Sequence, residues 1–172
     1  MPESDEVRKE VTTYFRTRFG VPEEAFAGIR FISRKDTIWA TSTALPPSLF
    51  SPRPPGIRAL RRMGTRLKPT SVFLRYLGNR IASSRVEISE VSVLKSLLLG
   101  SGIPTSVSPG YVALSFRGEV IGCGSSDGAK AKAMIPTGRR RELLEILDSD
   151  CYPHHGNSTP YSGKIVREGG GK

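Results

Sequence analysis

The sequence predicts an α+β fold in two units. Residues 1–79 read as a small N-terminal α+β domain and residues 80–150 as a second, mostly-β one. The tail, 151–172, reads as irregular, with room for one added strand. Three observations lead there. An apolar stripe of helical period opens the chain, and short strand-like runs punctuated by Gly and Pro follow it. The polar stretch Asn79–Ser84 then separates them from a second series of helix and strands. At 172 residues the chain can bury one sizeable core or two small ones.

Val7, Val11, Tyr14, Phe15 and Phe19 share one face of a helix from Asp5 to Phe19. Ser4 is its candidate N-cap, Asp5 and Glu6 suit the first turn, and Gly20 suits the position after the last. Helical spacing assigns these aromatics to the core rather than to a base-stacking platform. Pro22 starts a short helix to Phe26. Arg30–Ser33 and Thr37–Thr41 flank Lys35-Asp36 as a hairpin that carries the only tryptophan, Trp39.

Leu45–Gly56 holds five prolines and reads as a loop, ordered or mobile. Between Gly56 and Lys68, Ile57, Leu60, Met63 and Leu67 interleave with Arg58, Arg61, Arg62 and Arg66. Helix and strand both accommodate that pattern, and the interruptions at Gly64 and Pro69 favour strand. Pro69 then opens a short helix from Ser71 to Leu77, ended by Gly78.

In the second half Arg85–Ile88 reads as a strand. Ser89 caps a helix, Glu90–Leu99, that Gly100-Ser-Gly102 stops. Three strands follow: Gly110–Phe116, Glu119–Ser125 and Ala129–Ile135. Arg117-Gly118 has two-residue hairpin spacing, although arginine is not the favoured first turn residue. Arg139–Leu147 reads as a short basic helix.

The net charge is +10, and its placement says more than its size. No acidic residue lies between Asp36 and Glu87, a stretch holding Arg53, Arg58, Arg61, Arg62, Arg66, Lys68, Arg75, Arg80 and Arg85. Unopposed cations repel one another unless a polyanion shares the site. A basic membrane-surface helix would give the same count, but Pro46, Pro47, Pro52, Pro54, Pro55, Gly64 and Pro69 break any long helix here. Nucleic acid is the better partner. No run approaches the ~20 apolar residues of a membrane span, and the N-terminus is acidic where a secretory signal is basic. A soluble, cytoplasmic protein without membrane association is expected.

Cys123 and Cys151 are not in CxxC spacing, so neither a zinc ribbon nor a redox motif is supported. They read as reduced thiols, with a Cys123–Cys151 bridge as the alternative in a hyperthermophile. Cys151, His154 and His155 lack a fourth ligand and a rigid frame, so no metal is expected.

The run Pro109-Gly110-Tyr-Val-Ala-Leu-Ser-Phe-Arg-Gly-Glu-Val-Ile-Gly122-Cys-Gly124 resembles the central hairpin of a PUA domain. Glycine suits its small-x-Gly close because neighbouring backbone approaches too near for a side chain. Ile88-Ser-Glu-Val through Leu97-Leu-Leu-Gly100 resembles the PUA helix and its glycine loop. With Lys130-Ala-Lys132-Ala-Met134-Ile-Pro-Thr-Gly-Arg139-Arg-Arg141, the run is similar to the C-terminal region of Sun (Fmu) type RNA cytosine-5 methyltransferases and their stand-alone archaeal relatives. Phe19-Gly-Val-Pro22 and Thr37-Ile-Trp39 fit the small α/β domain that precedes PUA in such proteins. The resemblance implies a pre-PUA-like domain followed by a PUA-like β pseudo-barrel.

It also implies tRNA or rRNA as partner, in RNA modification or ribosome biogenesis. Contacts would come from the helix and glycine loop, Lys95, Gly100 and Gly102, and from the late strand and turn, Lys130, Lys132, Arg139, Arg140 and Arg141. Lys130 and Lys132 alternate with alanines and share one strand face, while glycine admits phosphate to the main-chain N–H groups. The plainer readings are a solvated strand face for the lysines and ion pairs from the arginines to Glu142, Glu145 and Asp148. Arg58, Arg61, Arg62, Arg66 and Lys68 form a secondary basic surface.

No enzyme and no cofactor is expected. The glycines Gly118, Gly122 and Gly124 fall inside an antiparallel hairpin rather than a strand-to-helix turn, and neither cysteine lies in the family's Pro-Cys loop. The alternative from another class is an adaptor that recruits an RNA methyltransferase through Leu97-Leu98-Leu99 or the Leu45–Phe50 loop.

Overall fold

The computed structural model describes residues 5–42 and 56–149. Ser4, the proline-rich loop up to Pro55 and the tail with Cys151, His154 and His155 lie outside them, and with them the candidate bridge.

Helix α1, Asp5–Phe19, buries Val11, Phe15 and Phe19. Ala82 and Ser83 donate their N–H groups to the Phe19 carbonyl at 2.9 and 3.0 Å, so this end of the helix is satisfied by the chain that follows the first sheet. Glu23–Phe26 is a 3-10 turn behind Pro22. Strands β1, Ile29–Arg34, and β2, Thr37–Ser42, form the hairpin expected about Lys35-Asp36. The basic run beyond is two strands, not one. β3, Ile57–Met63, reverses at Gly64-Thr65 into β4, Arg66–Pro69, and Gly64 at φ 62° makes that turn without strain. These four strands form an antiparallel sheet in chain order.

Pro69 closes β4 and does not open the next helix. Thr70 is the N-cap of α2, Ser71–Leu77, accepting from the Phe73 N–H at 3.2 Å. The same hydroxyl donates to the carbonyl of Arg58 and so ties β3 to the start of α2.

The second sheet contains β5, Arg85–Ile88, β6, Ile103–Pro104, β7, Gly110–Phe116, β8, Glu119–Ser126, and β9, Lys130–Ala133. Helix α3, Val91–Leu98, lies between β5 and β6, and α4, Thr137–Asp148, follows β9. The strand order is β5-β7-β8-β9-β6, with β5 parallel to β7 and the other pairs antiparallel. Four details depart from expectation. β6 is new, since two residues carry no periodicity. β9 ends at Ala133 rather than Ile135. Glu90, not Ser89, is the N-cap of α3, without a side-chain bond, and α4 starts at Thr137. A Cβ on Gly124 would stand 2.8 Å from the Lys132 carbonyl oxygen, the close backbone approach that requires glycine there.

The two sheets share a core. Helix α2 lies between them, its Phe73, Leu74 and Leu77 packed in one cluster with Phe15, Phe31 and Leu60 and with Ala113, Val120 and Cys123. Polar bonds cross the same seam. The Cys123 N–H donates to Ser71 Oγ at 3.0 Å, and Arg18 donates to the Tyr111 and Ser108 carbonyls at 2.8 and 2.9 Å. Asn79–Ser84 thus separates two sheets while one core runs beneath both. A second cluster, with Leu94, Leu97 and Leu98 of α3, fills the space on the far side of the second sheet.

Glu87 holds β5 to the β7–β8 turn, accepting from Ser115 Oγ at 2.6 Å and from the Gly118 N–H at 2.7 Å. Partial desolvation pushes its carboxyl up, but these bonds together with Arg85 outweigh that and hold it below the ordinary value. A carboxylate lowered on folding stabilises fully above its unfolded value, and that stability is lost as pH falls through the folded value. Glu87→Gln should therefore flatten the acid limb of the stability profile, read as urea midpoints between about pH 6 and 3. An acid limb identical to the parent's would count against this linkage.

Candidate nucleic-acid interface

The pairing of β2 with β3 shifts register between Ile38 and Trp39. Ile38 faces Leu60 and Trp39 faces Arg58, which leaves Ala59 as an extra residue. Ala59 and Leu60 are consequently buried in succession. In an undisturbed strand Arg58 and Arg61, three apart, would point to opposite faces. The bulge resets the alternation, and both side chains line one groove.

That groove, of about 630 Å³, runs between β3–β4, α2, β8 and the start of α4. Arg58, Arg61, Lys68, Arg75 and Arg139 bring five cations to it, and no described acidic residue lines it. Trp39 is half-buried there, with the Arg58 guanidinium 5.5 Å from its ring centroid. Between the cations lie apolar groups, Ile57, Val72, Ile121 and Met134, of which Val72 is 44% exposed.

The cations singled out in the sequence divide into three groups. Arg58, Arg61, Lys68 and Arg139 meet in the groove. Arg62, expected on the same surface, is drawn to the other side of the sheet. It pairs with both Glu10 oxygens at 3.2 and 2.5 Å and donates to Ser33 Oγ at 2.6 Å, so its charge is spent holding α1 to the strands. Arg66 lines a separate recess of about 670 Å³ with Arg18 and Tyr14. The Tyr14 hydroxyl is buried with no hydrogen-bond partner among the described residues, and desolvation raises its pKa and keeps it protonated.

The helix-and-strand set is looser. Lys95 pairs with Asp148 at 2.5 Å and joins α3 to α4. A Cβ on Gly102 would lie 3.6 Å from the Lys130 side chain, so loop and strand do meet, while Gly100, at φ 107°, faces open space. Lys130 and Lys132 are exposed on one face of β9, with Ala131 buried between them. Arg139 also pairs with Glu142 at 2.6 Å, and Arg140 donates to Thr137 Oγ1 at 3.4 Å. Arg141 is exposed and pairs with no described acid. Arg75 was expected only as one of the acid-free cations, and Trp39 only as a hairpin residue within the segment that resembles the pre-PUA domain, neither as a site residue. The position of Arg75 on the solvent side of α2, opposite Phe73, Leu74 and Leu77, was the available signal.

Burial pushes the Cys123 thiol up to about 12, which favours its protonated form. Among the described residues no helix is long and apolar enough to cross a membrane, and no His, Cys, Asp and Glu side chains cluster as a metal site. No family model matches the chain, and no curated protein matches it in sequence.

Proposed function

We propose that the protein binds structured tRNA or rRNA, without catalysing a reaction on it, and acts in RNA modification or ribosome biogenesis. The single observation that carries this is the groove: five cations from β3, β4, α2 and α4 converge where no described carboxylate lines the walls, and of the five only Arg139 pairs with a described acid, Glu142. Like charges gathered in this way favour a bound polyanion. Arg139, on α4, joins the basic surface of the first sheet in this groove, and Lys130, Lys132 and Arg141 are further exposed cations of the second half. The order of helix, glycine loop, hairpin and late strand supports a PUA-like reading of residues 80–150, preceded by a pre-PUA-like domain. That resemblance favours RNA over DNA.

Titration of a labelled tRNA against salt tests the reading. Log affinity should fall linearly with log salt, with the loss for about six contacts near 10³ between 50 and 200 mM. Binding that ignores salt, or no binding at all, would overturn it, and equal affinity for duplex DNA of the same length would remove the RNA assignment. The adaptor reading has one observation in its favour, since Leu99 of the α3 turn and Ile146 of α4 are 74% and 53% exposed. Partners retained from lysate after ribonuclease treatment would support it.

A further inference from the structure

We infer that the groove takes one unpaired nucleotide, its phosphates on the cations and its base against the Arg58–Trp39 pair and the neighbouring apolar side chains. This rests on the RNA-binding reading and specifies what enters the site. Phosphate alone would be served by cations on an open surface. Here the cations surround apolar groups, and Val72 is left 44% exposed at the start of α2.

Apolar surface beside cations suits a ligand with both characters, and a nucleobase joined to a phosphate is one. Bases stack on aromatic rings and on guanidinium planes, and Arg58 over Trp39 offers both in one place. The volume, about 630 Å³, falls among clefts that enclose a small ligand, roughly 300 to 1,000 Å³. An A-form duplex hides its base faces in the stack. It would reach the cations but leave Ile57, Val72, Ile121 and Met134 facing water.

Trp39 is the only tryptophan, so its emission reports on this groove alone. The full chain would be titrated with a single-stranded hexaribonucleotide, with the same strand as a duplex, with an abasic hexamer carrying the same phosphates, and with inorganic phosphate. The single strand should quench Trp39, and the abasic strand should bind about ten-fold more weakly. Duplex and inorganic phosphate should leave the emission near its starting value.

Val72→Glu places a carboxylate in the groove at the second position of α2, where a negative charge suits the helix dipole, so the fold should hold by circular dichroism. It should cost the single strand at least about ten-fold in affinity. Equal binding of the abasic and intact strands, equal quenching by the duplex, or an unaffected Val72→Glu variant would each overturn the inference. If tRNA binds with a steep salt dependence while the hexamer leaves Trp39 unmoved, the nucleotide pocket falls and RNA binding stands. If no RNA binds, both fall.

Discussion

Changing Arg58, Arg61, Lys68 and Arg75 together to alanine is expected to weaken RNA binding by about three orders of magnitude near 0.1 M salt. Each phosphate contact contributes about 0.7 to 0.9 to the slope of log affinity against log salt, so four lost contacts lower it by about three units. Arg58, Arg61 and Arg75 are exposed, and removing unopposed like charges relieves repulsion, so the melting temperature should not fall. Alanine at Lys9 and Arg16, on the polar side of α1, should leave the slope nearly unchanged. Arg8 is unsuited to that control, because it donates to the Ile29 and Phe26 carbonyls. A loss from the α1 pair proportional to its two charges would mean that the protein attracts RNA only through its net charge of +10.

Phe73→Ala should remove about 3 to 5 kcal/mol of stability, a large share of the roughly 5 to 15 that holds an ordinary domain together. The ring is fully buried, with centroids 5.2 Å from Phe15, 6.2 Å from Phe31 and 5.7 Å from Tyr76. At seven residues α2 is too short to persist alone, so packing rather than propensity maintains it. Because α2 lies between the sheets, the loss should move one common transition in guanidinium, seen alike by far-ultraviolet circular dichroism and by Trp39 emission. Met63→Ala, at a side chain 54% exposed, should change stability by no more than about 0.5 kcal/mol. Two separated transitions would show instead that residues 1–79 and 80–150 fold independently.

Much of the secondary structure was legible because its signals are local. The stripe from Val7 to Phe19, the Lys35-Asp36 turn and the apolar run from Gly110 to Phe116 before the Arg117-Gly118 turn are each marked within a few residues, and each became the element expected. β6 escaped because a two-residue strand has no period, and the reversal at Gly64 was read as an interruption rather than a hairpin.

The supply of charge was also legible. The acid-free stretch from Asp36 to Glu87 provides four of the five groove cations, and any fold of this chain must place those charges somewhere. Which of them would act together was decided by tertiary structure alone. One bulged residue, Ala59, brings Arg58 and Arg61 to the same side, and Glu10, far away in the chain, withdraws Arg62 from it. Arg139 joins from α4 because α2 packs against β8 and brings the second sheet up to the first. Periodicity reports the face a residue takes within its own element. Which faces then meet depends on strand register and on contacts between residues distant in sequence, and neither leaves a local pattern.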